Sequence, residues 1–288
     1  MIYYFYFCDQ INASNQNQAS LFIMKRNIFS PACIVVLFTL FASIAPYAKG
    51  NAPQRSYFQI RIYQLKNKEQ EEKVDKYLLQ AFLPALHRNG IGKVGVFKPI
   101  GNDTAAIRRI YILIPFNSLD QFTKLPQLLA KDNQYITDGQ NYLNAVYNDP
   151  SYLRIESILL QAFTGMPNIG IPELKNPNSE RIYELRSYEG ATEKIFENKV
   201  KMFNDGDEIS LFKRLGFNAV FYAEVLSGAH MPNLMYMTSF ENMVSHDQHW
   251  KSFGDDPVWK KLSAMPEYQN NVSHIDIVLL HPAEYSDL

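Results

Sequence analysis

Arg181-Ile182-Tyr183-Glu184-Leu185-Arg186-Ser187-Tyr188 reads as a β-strand, with side chains that alternate in character along it. A weaker copy stands earlier, at Phe58-Gln59-Ile60-Arg61-Ile62-Tyr63. Aligning Tyr183 with Phe58 sets Arg186 on Arg61 and Tyr188 on Tyr63, an offset of 125 residues. One unit written twice is the reading that decides the fold, and the rest of the chain is tested against it.

After Phe58–Leu65, Asn67 with Gln70 three residues on marks a helix start. Val74, Tyr77, Leu78, Ala81, Phe82, Ala85 and Leu86 then trace one helical face. Pro84 is expected to kink its last turn, and Asn89-Gly90 to stop it. Strands follow at Lys93–Pro99 and Arg109–Phe116, separated by a hairpin at Asn102-Asp103. A helix begins at Ser118, a helical region spans Tyr142–Tyr147, and a last strand runs Leu153–Phe163. The order is β-α-β-β-α-β. Residues 166–180 hold Pro167, Pro172 and Pro177 without periodicity and read as a semi-rigid linker.

The order then recurs. Arg181–Tyr188 is followed by a helix capped by Thr192 and broken at Asp205-Gly206-Asp207. Strands are expected at Asn218–Leu226, Leu234–Phe240 and His274–Leu280, with helices capped by Asn242 and Asp256-Pro257 between the last two. The expected fold class is α+β: two ferredoxin-like β-α-β-β-α-β repeats, residues 57–165 and 181–283, packed sheet to sheet as a pseudo-dimeric barrel. The apolar side of the first strand (Phe58, Ile60, Ile62) is expected under the helices. The mixed side (Gln59, Arg61, Tyr63 and Glu184, Arg186, Tyr188) is expected in the barrel lumen.

Residues 1–48 are set apart as an extension and leader. Met24-Lys25-Arg26-Asn27 is a short basic start, Ile34–Phe41 an apolar run, and Ala42, Ala45 and Ala48 the small residues of a secretory signal. Residues 1–23 carry no Lys or Arg, so translation is expected to start at Met24. The product would be secreted or periplasmic, with no stable membrane span once the signal at about 24–48 is removed; the alternative is a membrane-anchoring helix. Both cysteines, Cys8 and Cys33, fall in this segment. A chain cleaved there would have no thiol nucleophile, no Cys-ligated metal and no disulfide. The formal net charge of −1, without a basic run, argues against nucleic-acid binding.

Tyr183-Glu184-Leu185-Arg186-Ser187-Tyr188, the helix exit Lys213-Arg214-Leu215-Gly216-Phe217 and Asp256-Pro257-x-Trp259 together resemble the NIPSNAP family of the dimeric α/β-barrel superfamily. The resemblance covers residues 181 to about 283. Residues 57–163 resemble a degenerate copy, with Gln59 in place of the Glu and Tyr142 in place of a Trp. It implies a barrel but no agreed catalytic residues. Wider relatives include small-molecule monooxygenases, lactone isomerases and haem-dependent enzymes.

Among constellations, Arg186 with Tyr188, echoed by Arg61 with Tyr63, is the best candidate for ligand contact. Arginine grips carboxylates bidentately and tyrosine can relay a proton. Glu184, Tyr222 and Tyr236 complete the candidate ligand-binding set. A structural polar ladder is the competing account of the same residues. His246-x-x-His249 lacks the Glu of a zinc-protease motif and sits on a stripe with Met243, Trp250 and Phe253, so His246 reads as a packing residue. No metal site and no cofactor are expected, and the catalytic residues are unknown. The expectation is a barrel binding a small molecule, with cofactor-independent oxygenation or isomerisation as the reaction; homo-oligomers are compatible with it. The alternative is a non-catalytic binding or assembly module, favoured by an exposed Met-rich surface around Met231–Met237.

Overall fold

The structure is a computed structural model that describes residues 54–288. The expected leader, its start at Met24 and both cysteines lie outside the described residues. Eight strands form one closed antiparallel barrel: β1 (Tyr57–Leu65), β2 (Gly95–Pro99), β3 (Arg108–Phe116), β4 (Arg154–Ala162), β5 (Ile182–Glu189), β6 (Asn218–Ser227), β7 (Asn233–Phe240) and β8 (His274–Pro282). The order around the barrel is β1-β3-β2-β8-β5-β7-β6-β4. Each half therefore has the ferredoxin-like order 4-1-3-2, and the halves meet at the β2–β8 and β6–β4 seams. No helix of the described residues is long and apolar enough to cross a membrane.

The helices lie outside the barrel, where local signals start and stop them. Asn67 accepts from the Gln70 backbone N–H to open α1 (Lys68–Tyr77), while Gln70 Oε1 accepts from Lys66 N–H. A single π-turn, Leu78–Phe82, joins α1 to α2 (Leu83–Arg88). Pro84 explains it: proline has no N–H to give the carbonyl one turn back, so the ladder widens just before it. The two corresponding helix exits close alike. Ile91 N–H bonds Leu86 O, and Phe217 N–H bonds Phe212 O, both at 3.0 Å, around Gly90 and Gly216 with φ of +72° and +77°.

In the first half α3 (Leu119–Leu129) is followed by two short helices, α4 (Asn133–Asp138) and α5 (Gln140–Leu143). The helical region expected at Tyr142–Tyr147 is thus shifted toward the N-terminus. In the second half the break at Asp205-Gly206-Asp207 separates α6 (Glu193–Asn204) from α7 (Glu208–Arg214). Asn242 caps α8 (Met243–Asp255), and Asp256 caps α9 (Pro257–Ser263) with proline at its first position.

One sequence expectation is reversed. Phe58, Ile60 and Ile62 do not lie under the helices; they point into the lumen with Phe97, Leu113, Leu160, Tyr183, Leu185, Phe221 and Met237. Tyr63 packs against α1 and α2, and Tyr188, Tyr222 and Tyr236 pack against the second-half helices. Met235 and Met237 are likewise lumen residues rather than an exposed surface; only Met231 of that segment is strongly exposed. An eight-stranded barrel has an interior just wide enough for side chains to fill. A lumen of that width excludes most water, so it takes the apolar side of each strand and leaves the charges to the layer where helix side chains can pair with them.

Candidate functional site

The seven sequence candidates assemble into two clusters between sheet and helices. In the second half, Glu184 is 1% exposed. Its carboxylate accepts from Arg186 Nε at 2.8 Å and from the Trp250 indole N–H, with His246 Nε2 3.3 Å away. The Arg186 guanidinium stacks on Trp250, 3.7 Å from ring centre, and reaches Tyr188 Oη at 3.3 Å. Tyr188 Oη meets Tyr236 Oη at 2.8 Å, while the Tyr222 hydroxyl has no partner among the described residues. His246 packs against the Phe240 ring, as its place on an apolar stripe implies.

In the first half, Gln59 donates to Ser157 Oγ at 2.7 Å. Tyr63 Oη meets Tyr142 Oη at 2.9 Å, and Arg61 lies over the Phe82 ring. Burial pushes the Tyr63, Tyr222 and Tyr236 phenols above their ordinary range. Burial works against the Arg186 charge but is outweighed by Tyr236, Tyr188 and Glu184, so its affinity for the proton rises. These groups thus hold their protons at neutral pH, and all but Tyr222 are paired within their own clusters. The lumen-facing placement expected for Arg61, Tyr63, Glu184, Arg186 and Tyr188 does not hold.

A different set of side chains meets open space. One end of the barrel is filled: the Phe58 ring tilts against Phe221 at 5.3 Å and Phe97 against Tyr183 at 4.8 Å, with Ile169, Leu174 and Leu288 packed against them. The linker is tied down there by Ser56 N–H to Pro167 O and Gly170 N–H to Val220 O, both 2.8 Å. The other end, where β1 and β5 finish and β3, β7 and β8 begin, holds a cavity of about 400 Å³. Its floor is apolar (Ile62, Ile158, Leu185, Val225, Met235, Val278) and its rim polar (Arg109, Tyr111, Glu156, Ser187, His230, Asn233, Asp276). This is the composition of a small-molecule site. A larger surface groove of about 560 Å³ beside α1 is flanked by Lys73 and Asp149, which pair with each other at 2.7 Å.

Two features make the barrel mouth more than a gap. Asn233 is 3% exposed and donates from Nδ2 to Ser187 Oγ at 2.8 Å, yet its Oδ1 has no partner among the described residues. A buried acceptor left unmade costs about 1–3 kcal/mol, so one usually has a partner to find. The Arg109 guanidinium forms no ion pair with another described residue. Burial raises the Tyr111 phenol, Arg109 opposes that, and Glu156 and Asp276 add to it; the net direction is up. None of these residues shares a local motif. They come from the ends of β3, β4, β5, β7 and β8 and from the β6–β7 hairpin, so spacing along the chain carried no signal; only alternation along strands whose ends were known could have found them.

Residues 183–287, in the second half of the chain, match the NIPSNAP family model. No curated protein matches the sequence. A candidate monooxygenase from Lactobacillus acidophilus superposes with a TM-score of 0.53 at 11% identity, over 79% of this chain and 94% of its own. A candidate monooxygenase from Fusobacterium nucleatum gives 0.52 at 8% identity, over 80% and 93%. A NIPSNAP family protein from Agrobacterium tumefaciens matches 42% of this chain and 98% of its own at 17% identity, with a TM-score of 0.33. The first two share the fold of this chain.

Proposed function

We propose that this chain, with its NIPSNAP-type second half, binds a small organic molecule in the open mouth of the barrel. The observation that carries this reading is the stranded Asn233 acceptor on the wall of the 400 Å³ cavity. The apolar floor suits a ring or short hydrocarbon body, and Arg109 suits a carboxylate or enolate at the rim. A donor on the ligand would satisfy Asn233 Oδ1.

The chemistry this lining suits is proton transfer on the bound molecule, the core of an isomerisation and the first step of a cofactor-independent oxygenation. Glu156 or Asp276 would take a proton, Arg109 would hold the developing negative charge, and Tyr111, kept protonated by burial, would return one. The buried Arg186 cluster would support the wall from outside rather than touch ligand.

The test is saturable binding of 1-naphthoate, an aromatic carboxylate, followed by its fluorescence. Binding is expected to be weakened about tenfold or more by Arg109→Ala and abolished by Met235→Trp, which fills the cavity. Absence of saturable binding, or equal affinity in both variants, overturns the reading. A second reading, a non-catalytic module that assembles with copies of itself, is favoured by Ile155, Ile275 and Ile277, which stand exposed on the outer faces of β4 and β8. Sedimentation that stays monomeric across concentrations would remove it.

A further inference from the structure

We propose that the rim of the barrel mouth binds a divalent transition-metal ion through Glu189, His230 and Asp276. Each residue presents one ligand atom, and the three atoms lie within 4.8 Å of one another. They are brought together by the fold alone. Glu189 ends β5 on its lumen side; Asp276 lies on adjacent β8, opposite Ser187; His230 hangs from the β6–β7 hairpin. His230 Nδ1 already sits 2.8 Å from Glu189 Oε1, and His274 Nε2 sits 3.1 Å from Asp276 Oδ1.

A carboxylate and imidazole cluster at a surface is by itself common. Here a second observation points to a ligand. Asn233 faces Glu189 directly across the β5–β7 ladder, is almost wholly buried, and has a free Oδ1. One of its two amide N–H bonds goes to Ser187 Oγ, while its Oδ1 is left without a partner one ladder position across from Glu189. A metal cation is a ligand that two carboxylates, an imidazole and an amide oxygen can all bind at once. One imidazole with two carboxylates is a borderline donor set, which favours zinc and its first-row neighbours over calcium or magnesium. An ion here would sit on the rim of the organic cavity, where it could meet an anionic ligand, but its binding does not depend on that reading.

The test is zinc titration of the full chain, purified without a polyhistidine tag and stripped with chelator, followed by calorimetry. One zinc per chain is expected. His230→Ala and Asp276→Asn should each weaken it tenfold or more while circular dichroism stays unchanged, and cobalt should give a visible d–d spectrum lost in both variants. No saturable zinc uptake, or uptake equal in both variants, overturns the site. Naphthoate binding is measured separately in chelator. Its loss with zinc binding intact defeats the cavity reading alone, and zinc failure with naphthoate bound defeats the cation site alone.

Discussion

The Arg186 guanidinium lies over the Trp250 indole at 3.7 Å, and the two side chains grip the same buried carboxylate, that of Glu184. Strand β5 is thereby clamped to helix α8 by a charge pair, a stacking contact and an indole hydrogen bond. The first half has Gln59 where β5 has Glu184 and uses neutral hydrogen bonds and stacked tyrosines instead.

This asymmetry should be measurable. Arg186→Met leaves the Glu184 charge buried without its partner and should destabilise the protein by about 3 kcal/mol or more in urea unfolding. Gln59→Ala loses one neutral bond to an exposed serine and should cost about 1 kcal/mol. Equal losses would show that the β5 clamp adds nothing beyond its neutral counterpart.

Lys199 and Glu208 pair at 2.9 Å with both side chains almost fully buried, and Lys199 also faces the Phe203 ring. Lys199→Met should cost about 3–5 kcal/mol by stranding Glu208, whose carboxyl burial already pushes upward. The double variant Lys199→Met with Glu208→Leu should recover most of that loss. A double variant as unstable as the single one would show that the pair contributes more than its desolvation removes.

Glu71 offers a pH test. Burial raises its carboxyl, but hydrogen bonds from Lys98 and Arg108 outweigh this, and its proton affinity falls below the ordinary glutamate value of 4.5. The unfolded chain then binds the proton first, so this contribution is complete above 4.5 and is lost as pH falls toward the folded value. Glu71→Gln should flatten the acid limb of the stability profile in that window and leave the slope near neutrality unchanged. A wild-type slope below pH 4.5 in the variant would contradict the assignment.

Gly95 marks how tightly the lumen is filled. A Cβ there would stand 2.4 and 2.6 Å from the Phe97 ring and 3.1 Å from Leu288. Phe97 is itself held against Tyr183 at 4.8 Å, so it has little room to give. Gly95→Ala should cost about 1–3 kcal/mol in thermal or urea unfolding. A neutral result would mean that the closed end of the barrel is softer than its packing indicates.

The alternation of Tyr183–Tyr188, its echo at Phe58–Tyr63, and the matching caps and glycine exits were enough to lay out eight strands, the helices between them apart from the short pair at Asn133–Asp138 and Gln140–Leu143, and the shared topology of the halves. Local chemistry carries that information, because a period of two and a capping residue act within a few residues. Which face of each strand looks inward was not written there. Both faces are buried, one by helices and one by barrel closure, so alternation separates them without orienting them. Closure decided it: a narrow lumen accepts Phe58 and Leu185, while Glu184 and Arg186 find Trp250 and His246 only beneath the helices. The polar rim of Arg109, Glu156, Glu189, His230, Asn233 and Asp276 exists for the same reason, since residues from five separate segments become neighbours only when the strand ends are drawn into one ring.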